Sequence, residues 1–222
     1  MSLFDRLRKG KNTDKTKKEE AGAEGWDAIT RECERIYPEQ TEPLHYGTLV
    51  SWQFGGKDPL TGISVYDGGD CWHFVTYGLS ELYEKETDDK NISGYGMEFT
   101  FKLSKASCVN EEAEIKCICG ILQSIARITF TRGEIFQAYE YLYTGQTQGI
   151  DVEMKSNITG FITIPDTKFS SITTPNGTVD FVEFIGATNE ELLALKNKEL
   201  DVRALYAKIG SDITSYHRTS VI

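Results

Sequence analysis

Apolar residues along this chain recur with two different periods, and the places where the period changes divide it into elements. Ile29, Cys33 and Ile36 fall at helical spacing behind Asp27, a residue able to cap a helix, and Pro38 stops the run, so the pattern predicts a helix over residues 27–36. Beyond Pro43 the runs become rich in β-branched and aromatic residues. Residues 48–54 and 63–66 read as two strands, separated by Gly55, Gly56, Asp58, Pro59 and Gly62. Residues 71–77 read as a third strand and 94–103 as a fourth. In the fourth, Met97, Phe99, Phe101 and Leu103 alternate with Glu98, Thr100 and Lys102, the signature of a half-buried strand.

Helical spacing returns at Ile115, Ile118, Leu122 and Ile125, with Glu111, Glu112 and Glu114 in a first turn where the helix dipole favours anions, and predicts a helix over residues 111–128. Further strands are expected at 161–164, ended by Pro165, and at 179–185, ended by Gly186. A capping box, Thr188 with Glu191, opens a helix through Leu192, Leu193 and Leu195, and another helical stretch covers 200–209 before Gly210. Strands come in blocks, with helices early, middle and late, and no regular βαβ alternation. That order favours an α+β fold, a mixed and largely antiparallel sheet flanked by helices, over a doubly wound one.

Domain organisation follows from composition. Residues 1–24 hold almost no apolar side chains after Leu7 and cannot repay the entropy of ordering, so a disordered basic tail is expected there, with a small amphipathic turn at Leu3, Phe4 and Leu7. Residues 25–222 make one domain. The formal charge of the chain is −10; residues 1–18 contain seven basic and two acidic side chains, a charge of +5, which leaves −15 on the remainder. An acidic body repels phosphate backbones, and nucleic acid is not an expected ligand. No stretch has the roughly 20 apolar residues that a membrane-spanning helix needs, and a cytoplasmic location is expected.

Five cysteines, Cys33, Cys71, Cys108, Cys117 and Cys119, lack the spacing of a disulfide framework and are expected to be reduced. Cys71 and His73 share a face of a strand, but Cys117 and Cys119 diverge on a helix, and the ligands left over fall short of a structural zinc site. No metal and no cofactor are expected. Cys71 and His73, with Asp67 and Asp70 near, contain the residue types of a thiol nucleophile, but same-face neighbours on a strand sit about 6 to 7 Å apart, so His45 would have to serve as base. A cysteine hydrolase built on Cys71, His73 and His45 is the enzymatic alternative. More unusual is the concentration of aromatic and polar residues from 66 to 83, because Tyr, Trp and His combine apolar area with a hydrogen-bonding tip.

Three stretches, His45-Tyr46-Gly47-Thr48, the block from Trp72 through Thr76-Tyr77-Gly78-Leu79-Ser80-Glu81 to Tyr83, and Gly96-Met97-Glu98-Phe99-Thr100-Phe101, resemble the suppressor of fused domain found in many bacterial proteins. The likeness continues through 161–166, 179–184 and 188–192 and ends at Asp212-Ile213-Thr214 near Arg218. The resemblance implies an α+β domain without catalytic activity. In animals such a domain sequesters a transcription factor by clamping an extended peptide; in bacteria similar domains often serve as immunity proteins. The expected function is therefore that of an antitoxin binding a cognate toxin domain, such as a basic nuclease, with a regulatory scaffold as the alternative. Asp67, Asp70, Trp72, His73, Tyr77 and Asp166 are the candidate partner-binding residues.

Overall fold

The computed structural model describes residues 22–50 and 52–222; the tail through residue 21, with the turn at Leu3, Phe4 and Leu7, lies outside them. Helix α1 (Glu24–Ile36) precedes strands β1 (Leu44–Gly47), β2 (Gly62–Asp67), β3 (Cys71–Tyr77) and β4 (Ile92–Ser104). Helix α2 (Glu111–Arg132) leads to β5 (Tyr141–Leu142), β6 (Ile158–Pro165), β7 (Ile172–Thr174) and β8 (Gly177–Thr188), and helices α3 (Asn189–Lys196) and α4 (Val202–Ile209) follow. All eight strands join one sheet in the order β1-β2-β3-β4-β8-β6-β5, with β7 alongside β8. Every pairing is antiparallel except that of β4 with β8, which joins two antiparallel halves across a parallel seam.

Alternation along the strands gives the sheet two chemically different faces. One carries Phe74, Phe99, Phe101, Phe161 and Phe184, which pack against Ile115, Ile118, Leu122 and Ile125 of α2. That stripe at helical spacing is what docks α2. The helix is capped by the Asn110 side chain at its start and by Gly133, at φ 71°, at its end, four residues beyond the predicted stop.

The other face is covered twice. Ile29 and Cys33 of α1, with Tyr37, pack over Tyr66, Val75, Tyr77 and Phe181, and Leu192, Leu195, Val202 and Leu205 of α3 and α4 pack over Ile162, Ile164, Ile185 and Ala187. The Thr188 capping box forms as expected, its hydroxyl accepting from Glu191 N–H while the Glu191 carboxylate accepts from Thr188 N–H.

Three local expectations change. Among the described residues of 48–54 there is no strand: β1 lies upstream, and Trp52–Phe54 is a single 3-10 turn. Bonding to the β2 side ends at Thr48, whose N–H reaches the Thr61 carbonyl, and beyond it the aromatic and β-branched composition that suggested a strand has no partner strand among the described residues. Helix α1 begins at Glu24 rather than at Asp27, and Ala23 at its start makes no side-chain cap. Strand β4 is not half-buried: Glu98, Thr100 and Lys102 are as hidden as the phenylalanines between them.

Candidate functional site

The β2–β3 hairpin brings three of the six candidate residues together. Asp67 pairs across the ladder with Trp72, and the turn between them holds Asp70. Asp67 and Asp70 are exposed and Trp72 is half-buried. The Lys105 ammonium pairs with the Asp67 carboxylate and lies over the Trp72 ring, 4.3 Å from its centroid. The hydrogen bond from Lys105, helped by the N–H of Gly69, holds the Asp67 carboxyl below its usual range. This end of the sheet is thus an anionic turn beside an aromatic ring.

The other three candidates lie elsewhere. Tyr77 is at the far end of β3, six residues from Cys71 and so roughly 20 Å away. It is buried, stacked on Trp26 with 4.4 Å between centroids. His73 and Asp166 are buried under α1, joined by 3.1 Å between His73 Nε2 and Asp166 Oδ2. The Tyr37 hydroxyl sits 2.7 Å from His73 Nδ1. Burial lowers the His73 pKa against the opposing pull of Asp166, so the ring is neutral. The surrounding network then assigns the proton: Nε2–H donates to Asp166, and the tyrosine O–H donates to Nδ1.

Asp166 is the centre of a larger polar cluster that the sequence pattern did not reveal. It accepts from Thr100 Oγ1 at 2.6 Å and from the N–H groups of Lys168 and Phe169 at 2.6 and 2.8 Å. Burial works against its charge, but His73, Lys102 and Thr100 outweigh that and hold the carboxyl well below the usual range. Lys102, 1% exposed, donates to Asp212 at 2.7 Å, Thr167 at 2.8 Å and Glu183 at 3.0 Å. Burial, and then the neighbouring Asp166, push the Glu183 carboxyl well above its ordinary pKa. Charged residues inside the apolar runs of two central strands, Lys102 on β4 and Glu183 on β8, were the available signal.

The block Thr76-Tyr77-Gly78-Leu79-Ser80 wraps around a second buried carboxylate. Glu98 Oε2 accepts from Thr76 Oγ1 at 2.7 Å; Oε1 accepts from Gly78 N–H at 2.9 Å, Ser80 N–H at 3.0 Å and Ser80 Oγ at 2.7 Å. Burial raises the Glu98 pKa despite those donors. The residues that made this block recognisable therefore hold the end of β3 onto β4.

The thiol chemistry does not assemble. His45 donates to or accepts from Ser64 at 3.0 Å, opposite Val75, which is four residues along β3 from Cys71 and so roughly 13 Å distant. Burial pushes Cys71 up to about 11, and Cys33 and Cys108 likewise to about 11, with Cys119 at about 12. Thiols so placed hold little thiolate at neutral pH. Among the described residues no three His, Cys, Asp or Glu side chains form a metal-sized group, and no helix is long and apolar enough to cross a membrane.

These features define a mixed-sheet α+β domain with buried polar clusters around Asp166 and Glu98 in its interior. Residues 56–219, well over half the chain, match the model of the suppressor of fused protein family, and the chain belongs to that family. It is 30% identical over 181 residues to the human suppressor of fused homolog, and equally to the mouse one, covering 76% of this chain. The chain spans only 36% of the length of those relatives. Among solved structures, a Sufu–Fu complex superposes with a TM-score of 0.76 at 27% identity, over 90% of this chain and 93% of that one. Drosophila Suppressor of Fused gives 0.75 at 26% identity, over 90% of this chain and 51% of that one. A suppressor of fused homologue from Neisseria gonorrhoeae shares the fold, with a TM-score of 0.58 at 13% identity, over 90% of this chain and 98% of that one.

Proposed function

We propose that this domain captures another polypeptide, without catalysis, by adding an extended segment of the partner to the outer edge of β1, the end strand of the sheet among the described residues. The observation that carries this reading is the state of that edge. Thr48 N–H bonds to Thr61 carbonyl, which sets the antiparallel alternation, so Leu44 and Tyr46 face β2 while His45 and Gly47 turn their backbone groups outward. Leu44 on the strand and Leu49 and Val50 just beyond it are exposed. A cleft of about 440 Å³ lined by Tyr46, Leu49, Val50 and Arg127 adjoins the strand. Backbone bonds along an edge supply affinity and adjoining pockets supply sequence preference. Asp67, Asp70 and Trp72 form a second, anionic contact surface, and His73, Tyr77 and Asp166 act by fixing the scaffold behind both.

Two partner classes fit. A regulatory polypeptide that the domain sequesters is favoured by the relative solved as a Sufu–Fu complex. A basic toxin domain that it neutralises is favoured by the charge of −15 carried beyond residue 18, since opposite charge speeds encounter. Affinity capture from the source cell, followed by co-expression with the gene product encoded alongside, separates them: rescue from killing identifies a toxin. The Leu44→Lys/Val50→Lys double variant is expected to retain its melting temperature and lose at least about ten-fold in partner affinity, because charge on an edge blocks pairing. Undiminished affinity, or turnover of a small molecule abolished by one polar substitution, rejects the proposal.

A further inference from the structure

At the margin of the core between α2 and the sheet, a groove of about 460 Å³ runs between the helix, strand β6 and the segment that follows β5. Its walls are Ile121, Ile125 and Ile128 of α2, facing Leu142, Ile150 and Phe161. Small side chains keep it open. Cys117, Gly120 and Ser124 lie along the same stretch of helix, and a methyl group built on Gly120 would meet nothing within 4 Å. The volume falls in the roughly 300–1,000 Å³ range of small-molecule sites, which are apolar with a few placed polar groups.

Such a polar group is present. Thr159 lines the groove and is 5% exposed, and its hydroxyl has no hydrogen-bond partner among the described residues. It sits where the β6–β8 register slips between Ile158 and Gly160, so the ladder does not dictate what lies opposite it. A buried hydroxyl left unpaired is costly, and a partner reached by one χ1 rotation would relieve it. The lining offers no free charge: its one carboxylate, Asp151, already accepts from Lys155 N–H at 3.1 Å and Ser156 N–H at 2.6 Å, and no Lys, Arg or His is among the lining residues.

We propose that this groove binds a small, uncharged, mainly hydrocarbon molecule bearing a single hydroxyl or carbonyl group, seated against the three isoleucines and hydrogen-bonded to Thr159. The site is independent of polypeptide capture at β1, and its failure would leave that reading intact.

Methyl-detected NMR titration of the full chain with 4-ethylphenol, ethylbenzene and 4-ethylbenzoate tests it. Saturable shifts are expected at the Ile121, Ile125, Ile128 and Leu142 methyls with the first two probes and none with the benzoate. Thr159→Val is expected to weaken 4-ethylphenol about ten-fold, the size of one hydrogen bond, and to leave ethylbenzene unchanged. Thr159→Ser, which keeps the hydroxyl, is expected to bind the phenol as the native chain does, and Ser124→Phe to exclude both probes. Shifts that do not saturate at these methyls, equal effects of Thr159→Val on phenol and hydrocarbon, or full binding by Ser124→Phe would each overturn the proposal.

Discussion

At the scale of single residues, Glu98 shows how a charge-bearing side chain can serve the fold from a position that looks like surface. Its two oxygens collect four donors from Thr76, Gly78 and Ser80. Removing the carboxyl strands those donors in the interior, where each unsatisfied group costs about 1 to 3 kcal/mol. Glu98→Ala is therefore expected to lose about 3 kcal/mol or more in urea denaturation, and Glu98→Gln, which keeps the oxygen facing Gly78 and Ser80, only about 1 kcal/mol. Equal losses would mean that the cavity, rather than the stranded donors, sets the cost. In the sequence, Glu98-Thr100-Lys102 carried the mark of a solvated face; nothing local to β4 reports that α1, the segment after Asp166 and residue 212 cover it. Tyr37, Glu183 and Asp212 were missed for the same reason, since each becomes meaningful only through partners distant along the chain.

Elements with strong periodicity were legible: α2, α3 with its capping box, α4, and strands β3, β4, β6 and β8 lie where the pattern placed them. Short edge elements were not. Strand β5 has two residues and β7 three, too few for a period, and β1 was assigned too far downstream because 48–54 has strand-like composition but no open ladder beside it. Of the candidate site, only Asp67, Asp70 and Trp72 were legible as a surface group; alternation along β3 sends Trp72 and His73 to opposite faces. Gly78 illustrates the control that one position exerts over the β3 terminus. It sits at φ +128°, and a Cβ there would stand 2.7 Å from Thr61 N. Gly78→Ala combines backbone strain with that clash and is expected to lower stability by about 2 to 4 kcal/mol, read as a fall in thermal midpoint. A change within experimental error would show that the loop carrying Thr61 yields easily.

Over the whole molecule, acid sensitivity is set by groups pulled in opposite directions. Burial opposes the charge of Glu81, but Lys85 and the N–H groups of Thr87, Glu86 and Gly94 bring its carboxyl down to about 2. Asp166, Glu191 and Asp212 are likewise held below their ordinary values, and neutral His73 below its own. A lowered folded pKa means that the unfolded chain binds protons first, so stability from these groups is full above the unfolded pKa and is lost as pH falls. Glu98 and Glu183 have raised values and act the other way, losing their contribution as pH rises through the folded pKa. For Glu81 the window runs from 4.5 down to about 2. Glu81→Gln is expected to be less stable than the native chain at pH 7, with the gap in thermal midpoint closing across that window; a gap constant with pH would assign the loss to packing.

The parallel seam also orders events in time. Strands β1 to β4 can zip as local hairpins, but Lys102 meets Asp166, Glu183 and Asp212 only after residues 64 to 110 positions further on have been made. Until then a nascent chain on the ribosome holds a cation in an incomplete interior, with one rim of β4 open to any passing strand. In the folded domain β8 closes that rim and joins the two antiparallel halves, so a pause in synthesis past α2 is expected to raise misassembly.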